Sequence, residues 1–342
     1  MTSQTLEYPF AQAPHPGSLC QIVPGVFWLR MPLPFVLNHI NLWLLEDGAG
    51  WTVVDCGFAT EEARECWLNI IDKFLGGKPI TRVIVTHFHP DHIGLCHWLC
   101  EPQGLIPWMT KAEFLQAHVV HHRIGGTQGP KLAQLMQAHG LGLEGQGWIE
   151  RRENIYEKGV PQLPSSHRVI RHGERIRIGP HDWEVSVGFG HSPEHASLVC
   201  ESLGLCIAGD MLLPRISTNV SVWPSEPEAD PVGEFLASLS QFDSLPDSTL
   251  VLPSHGLPFR GAALRVKALQ EHHHVRLDRL RLFCQEPKTA AEVLPVLFER
   301  KFDDHHLLFA MGEAIAHLNY LMLRSQLRRS RDVEGCFRFQ SV

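Results

Sequence analysis
The chain has 342 residues, 44% hydrophobic and 20% charged, with a formal net charge of -7. That is ordinary globular composition, long enough for one large core and a small second one, and the negative total excludes a general attraction to nucleic acid or anionic membrane. The start, MTSQTLEYPFAQAPHPG, lacks the pattern of a signal peptide, and no apolar run reaches about 18 residues before Pro, Gly or charge breaks it, so a cytoplasmic protein without a membrane span is expected. The nine cysteines are scattered and include no CxxC pair, which points to reduced thiols; Cys96 and Cys100, one helical turn apart, read as packed side chains.

In chain order, Asn41 to Leu45 and Trp51 to Asp55 are apolar, β-prone runs separated by EDGAG, which predicts a hairpin. Helical spacing follows over 60–75 at Ala63, Trp67, Ile70, Ile71 and Phe74, and Arg82 to Thr86 reads as a buried strand. Residues 102–165 behave differently, with helical stretches near 110–123 and 130–140 joined by Gly-rich pieces. An insertion of this kind is expected to serve as a lid or pocket wall, with Trp108, Phe114, Leu115, Val119, Leu132, Leu135, Met136 and Trp148 as its apolar surface. The competing reading is that these side chains only pack the insertion onto the domain.

Strand signals resume at 168–171, 175–178, 182–189 and 197–208. Asp230 is placed to cap a helix running to about 243, Thr249 to Leu252 is a short strand, and 261–285 is a long helix. After Glu286-Pro287 the pattern becomes helical, with a longer helix over about 311–329, and RDVEGCFRFQ then suits a hairpin. The expected division is therefore 1–285 as the main domain and 286–342 as a small winged-helix-like domain.

The chemistry concentrates in Thr86-His-Phe-His-Pro-Asp-His92, between a buried strand and a new helix. Three imidazoles and a carboxylate within six residues are costly to bunch unless a cation holds them. Pro90 suits the first turn of a helix, so Asp91 and His92 can project from its start while His87 and His89 project from the strand end. Imidazole and carboxylate without thiolate suit zinc, with iron or manganese as alternatives, and the ligands outnumber the needs of one tetrahedral ion.

With Asp55 in VVDCG, the His87–His92 cluster, His191 in GHSPEH, Asp210 in AGD and His255 in PSHG, in that order, the chain resembles the metallo-β-lactamase superfamily over roughly residues 20–285. The resemblance implies an α/β fold, a four-layer αββα sandwich, carrying the small C-terminal helical domain. It implies further that His87, His89 and His191 hold one divalent metal ion, that Asp91, His92 and His255 hold a second, and that Asp210 bridges them. Asp55 then orients a ligand imidazole, and His195, four residues after His191, takes a structural or positioning role.

Two ions about 3.5 to 4 Å apart can share a hydroxide nucleophile and polarise a carbonyl or phosphoryl oxygen, which makes the expected reaction hydrolysis, with Asp91 handling the water's proton. The superfamily hosts many substrates, and export-dependent lactam hydrolysis fits poorly with Asp210 and the missing signal peptide. A small-molecule acyl thioester or ester is the favoured substrate class. A single-strand endoribonuclease or phosphodiesterase is the alternative, since Arg276, Arg279, Arg281, Arg324, Arg328, Arg329 and Arg331 could form a local basic face. A non-catalytic, metal-stabilised interaction protein is a third reading, opposed by the intact ligand set; a homodimer is compatible with all three. His118, His121 and His122 are not expected to be ligands, because the set is complete without them.

Overall fold
The expected hairpin forms between β3 (His39–Asp47) and β4 (Gly50–Val54), and its alternation shows how the layers are built. Along β3, Ile40, Leu42 and Leu44 face a core shared with Ala63, Trp67 and Ile70 of α1 (Glu61–Lys73), while Trp43 and Leu45 face a second core that also contains Ile207 and Leu252. Successive side chains of a strand point to opposite faces, so a strand apolar on both is covered on both. The computed structural model from which this is read describes residues 5–124, 129–142, 149, 155–299 and 304–342.

The first sheet has seven strands in chain order: β1 (Leu19–Val23), β2 (Val26–Pro32), β3, β4, β5 (Ile80–Ile84), β6 (Trp108–Met109) and β7 (Arg168–Val169). Pairing is antiparallel from β1 to β4 and parallel from β4 to β7. The second sheet runs β12 (Leu250–Pro253), β11 (Leu205–Gly209), β10 (His195–Cys200), β9 (His181–Gly188), β8 (Arg175–Ile178), with only β11 and β12 parallel. Leu205 and Ile207 point between the sheets. Cys206 and Ala208 point outward to a third core that holds Val266, Leu269, Leu277 and Leu280. Helix, sheet, sheet and helix thus stack as an αββα sandwich.

The outer helices on that side are α7 (Pro231–Ser238), capped by the Asp230 carboxylate on the Gly233 amide as its sequence suggests, and α8 (Ala262–Phe283). Beyond them come α9 (Ala290–Leu297), α10 (Asp304–Leu323) and a hairpin of β13 (Leu327–Arg331) and β14 (Phe337–Ser341). Leu294, Met311, Ile315, Leu318 and Phe339 join the same core as α8.

Several expectations need correction. The longer C-terminal helix ends at Leu323, and Arg328, Arg329 and Arg331 lie on a strand, because Ser325 at φ 57° ends the helix and Leu327 pairs with Ser341. The helix begun at Pro90 divides into α2 (Pro90–Ile93) and α3 (Cys96–Cys100). A Cβ at Gly94 between them would collide with carbonyl oxygens, including those of Gly57 and Gly159, so the chain passes close to both segments there. Strands β1 and β2 carry no hairpin expectation, although Pro24-Gly25 separates two apolar runs that pair across it.

The insertion contributes α4 (Lys111–His121), α5 (Pro130–Ala138) and α6 (Ile155–Gly159) among the described residues. Leu132, Leu135 and Met136 pack into the core shared with the C-terminal helices, so they bind the insertion to the domain. Trp108 is a strand residue whose ring lies under the Arg82 and Arg168 guanidiniums, at 4.3 and 3.6 Å from the ring centroid. Trp148 lies outside the described residues.

Candidate metal centre
Every residue expected at the site sits at one end of the sandwich. Asp55 follows β4 directly, the His87–His92 run follows β5, His191 follows β9, His195 opens β10, Asp210 follows β11 and His255 follows β12. Strand ends that meet at one edge of two packed sheets bring residues distant in sequence to one point. Donor atoms of His87, His89, His191 and Asp210 lie within 4.8 Å of one another, and so do those of Asp91, His92 and His255.

Hydrogen bonds on the outer side of the rings fix which nitrogens face inward. Nδ1 of His191 lies 2.8 Å from the Asn219 carbonyl oxygen, and Nδ1 of His255 lies 2.8 Å from that of His39. Since carbonyls only accept, both Nδ1 atoms carry the proton and both Nε2 atoms present lone pairs. His92 Nδ1 donates to Asp55 Oδ2 at 2.8 Å. Thr86 Oγ1 donates to the same carboxylate at 2.8 Å, so it accepts from His87 Nδ1 at 3.0 Å. Four imidazoles are thereby locked in one tautomer, with bare Nε2 atoms turned toward each other.

Without a cation the lone pairs of His87 and His191 face each other, with His89 Nδ1 also 2.9 Å from His87 Nε2. His87 Nε2 is 3.2 Å from His191 Nε2, and His92 Nε2 and Asp210 Oδ1 are buried with no hydrogen-bond partner among the described residues. Asp210 straddles the two groups: Oδ2 is 3.4 Å from His191 Nε2, while Oδ1 is 3.6 Å from His92 Nε2 and 3.5 Å from His255 Nε2. Asp91 Oδ2 lies 3.4 Å from His255 Nε2 and 3.6 Å from His92 Nε2. Ligands held about 2.0 to 2.1 Å from a tetrahedral zinc are roughly 3.3 to 3.4 Å apart, close to these spacings and too long for good hydrogen bonds. The residues present therefore fit divalent metal.

The electrostatics agree. Burial and the neighbouring His191 bring His89 down to about 3. Burial works against the charge on Asp91, yet His92 and His255 hold it at about 2; Asp210 is likewise kept well below the carboxylate range by His255 and His92 against its burial. For His92, burial is outweighed by Asp55, Asp91 and Asp210, which raise it well above the ordinary imidazole value. The carboxylates demand positive charge at this point, and a metal ion meets that demand without protons.

Asp55 accepts from the Thr86 amide as well as from Thr86 Oγ1 and His92, and adopts φ 63°, a left-handed conformation that Asp tolerates better than most residues. His195 does not reach the cluster centre: its Nε2 accepts from the Asp210 amide at 3.1 Å, which holds the carboxylate-bearing turn. Gly209 at φ 55° is required beside it, because a Cβ there would overlap the His195 ring. His118, outside the cluster, turns Nε2 to the Pro164 carbonyl.

Sequence reasoning misses the residues that hold the ligand loops from behind. The buried Asn41 side chain donates to the carbonyls of Pro253 and Gly256, and Arg30 donates to Gly256 as well, which fixes the loop carrying His255. Glu113, fully buried on α4, accepts from the amides of Phe88 and Glu194 and from Ser192 Oγ. A sequence signal exists for Glu113: it lies four residues before Ala117 on the buried face of α4, where an acid is out of place without partners.

Much of the arginine set is committed elsewhere. Arg276 pairs with Glu313 at 2.5 Å, Arg324 with Asp230 at 2.8 Å, Arg329 with Glu228 at 2.6 Å and Arg281 with Asp278 at 3.6 Å; Arg328 donates to Gln340. Among the described residues, no helix is long and apolar enough to cross a membrane.

Comparison with known proteins agrees with this geometry. Residues 36–255 match the family model described as metallo-beta-lactamase superfamily, and residues 277–342 match one described as metallo-beta-lactamase-like, C-terminal domain. The chain is 44% identical to a beta-lactamase domain protein from Burkholderia ambifaria, over 98% of each chain with a TM-score of 0.93. It is 27% identical to a metallo-beta-lactamase family protein from Thermus thermophilus, over 94% of this chain and 100% of that one, with a TM-score of 0.78. A curated relative, the probable metallo-hydrolase YqjP of Bacillus subtilis (strain 168), is 24% identical over 86% of this chain and 92% of its own length.

Proposed function
Because the chain belongs to the metallo-beta-lactamase superfamily of hydrolases, we propose that it is a dinuclear, zinc-dependent hydrolase of a thioester or ester. His87, His89 and His191 would hold one ion and Asp91, His92 and His255 the other, with the Asp210 carboxylate placed between the two groups. Two divalent ions in this position supply Lewis acidity and bring the ionisation of water toward neutral pH. Asp91 accepts the attacking water's proton on its carboxylate, which His92 and His255 keep ionised. Water adds to the acyl carbon, the carbon–sulfur or carbon–oxygen bond breaks, and the same carboxyl returns the proton to the leaving sulfur or oxygen. Asp55 and His195 keep the imidazoles and the Asp210 turn in place throughout.

The observation that carries the acyl reading is the exposure of apolar side chains on the chain segments that lead to or from the cluster. Phe35, Val36 and Leu37 are exposed, Val36 at 86%, on the loop that leads into His39, whose carbonyl holds His255. Phe189, two residues before His191, and Ile216, on the segment after Asp210, are exposed too. Exposed apolar side chains on the segments that carry a polar site favour a substrate with an apolar part. The ion-paired arginines weaken the case for a phosphate backbone. Residues 286–342 are read as a winged-helix-like unit that buttresses the second sheet.

The test is turnover by the zinc-loaded protein of an acyl thioester series, an ester series, bis(p-nitrophenyl) phosphate and single-stranded RNA. Preference for thioesters or esters that strengthens with chain length supports the reading. Cleavage of RNA or the phosphodiester with no acyl turnover overturns it.

A further inference from the structure
We infer that Glu113 is a positioning residue for the three-imidazole half of the metal centre, and that through it the insertion serves as a brace for the ligands. This rests on the dinuclear reading above and adds a residue that the ligand set does not contain.

Glu113 touches both loops that supply these imidazoles. Its Oε2 accepts from the amide of Phe88, which lies between His87 and His89, at 2.9 Å. Its Oε1 accepts from Ser192 Oγ at 2.6 Å, directly after His191, and from the Glu194 amide at 2.7 Å. One carboxylate therefore fixes the separation of two loops that approach from different sheets. Tyr156 of α6 completes the clamp by donating to the Phe88 carbonyl at 2.7 Å, so the peptide unit on each side of Phe88 is held by the insertion.

The start of α4 interlocks with the same loop. The Ala112 amide donates to Glu194 Oε2 at 2.9 Å and Thr110 Oγ1 donates to the Glu194 carbonyl at 2.8 Å. Thr110 is the N-cap by position but makes no cap bond, and the free amide of the first turn is satisfied by Glu194 instead. A helix that gives up its local cap for this contact is oriented by the ligand loop, and orients it in return. The Glu113 carboxyl receives three hydrogen bonds from donors, so the carboxylate is the form that satisfies them. Burial pushes it up to about 7 against the hydrogen bonds from Ser192, Glu194 and Phe88.

The consequence is selective. The imidazoles of His92 and His255 are held by Asp55 and the His39 carbonyl, and Glu113 bonds to neither, so loss of Glu113 should weaken one metal ion and spare the other. Glu113→Gln keeps the size but turns an NH2 group toward a donor. Removing such a support from a ligand typically costs about 10- to 100-fold in metal affinity. Ser192→Ala and Tyr156→Phe each remove one hydrogen bond and should cost about fivefold at the same ion.

The experiment is a chelator-competition titration of the full chain with zinc, and with cobalt for its absorption spectrum, at about pH 8 so that the carboxyl is ionised. Amide exchange across 87–92 and 191–195 in the metal-stripped protein gives a second readout. The brace predicts that one stepwise affinity falls by about 10- to 100-fold in Glu113→Gln while the other changes by less than about threefold, with faster exchange in both loops. Should Glu113→Gln fail to fold, the Ser192 and Tyr156 variants carry the test. Folded variants with wild-type affinities at both ions overturn the brace alone, as does an equal loss at both ions. A wild-type chain that takes up no metal overturns the metal centre itself and the brace with it.

Discussion

Asp55 offers the sharpest separation of fold from chemistry, because its carboxylate is almost wholly buried and every partner is known. It accepts from the Thr86 amide at 2.8 Å, from Thr86 Oγ1 and from His92 Nδ1 at 2.8 Å. Asp55→Ala leaves the amide and the imidazole N–H buried without acceptors, at about 1 to 3 kcal/mol each. It also places Ala at φ 63°, which adds about 1 to 2 kcal/mol. The sum is roughly 3 to 8 kcal/mol, comparable with the whole stability of many domains, so this variant should be marginal or unfolded. Asp55→Asn is more informative. Its oxygen can still serve Thr86 while its NH2 meets the His92 N–H, a donor facing a donor, at a cost of about 1 to 3 kcal/mol. Asn also tolerates the left-handed backbone. Denaturant unfolding of the metal-stripped protein should show that loss, and zinc affinity should fall by about 10- to 100-fold as His92 loses its fixed orientation. An Asp55→Asn chain with wild-type stability and wild-type zinc affinity would refute the proposed link between Asp55 and the ligand.

Further outcomes follow from other contacts. Asp210→Ala should abolish hydrolysis while the metal-stripped protein remains folded, because apolar strands build the core; a variant that keeps most of its turnover would contradict the bridge. Gly209→Ala should cost more than about 1 kcal/mol, since both its φ of 55° and the His195 ring exclude a Cβ, and thermal unfolding that matches wild type would contradict this. His273 and His317 stack in the core between α8 and α10, and burial lowers them to about 2 and about 3, with His317, His272 and Arg276 adding to the effect on His273. Their folded-state values lie below the unfolded 6.5, so the stability tied to each is present above pH 6.5 and is lost as pH falls toward those values. The slope is about 1.4 kcal/mol per pH unit for each imidazole that gains its proton only on unfolding, and His317→Gln should flatten it in the metal-stripped protein. An unchanged acid slope in that variant would place the loss elsewhere.

The converging cluster was legible because its chemistry is expensive to place anywhere else. The run from His87 to His92, followed by His191, Asp210 and His255 at later strand ends, already named all seven side chains that converge. Buried strands were legible from runs such as RVIVT and LCIAG, which are apolar without alternation because both faces are covered, whereas the four-layer sandwich followed from the family resemblance that the ordered ligand-type motifs carry. What stayed hidden depended on tertiary pairing. β6 is two residues long and exists only because Trp108 pairs with Ile84 and Arg168. The end of α10 at Leu323 was hidden because Leu327 to Arg331 has no strong strand signal until Phe337 to Ser341 pairs with it. Apolar side chains of the insertion were readable as apolar but not as to destination, and Leu132 and Met136 went to the C-terminal core. Glu113, Asn41 and Arg30 act on loops far away in sequence, so no local pattern could identify their partners.

The claim on which the rest depends is the paired metal centre, and elemental analysis of the purified chain after saturation with zinc and removal of the excess tests it most directly. Converging donors in two groups joined by Asp210 predict close to two ions per chain. At most one ion per folded chain, even after incubation with excess zinc or manganese, would contradict the dinuclear centre.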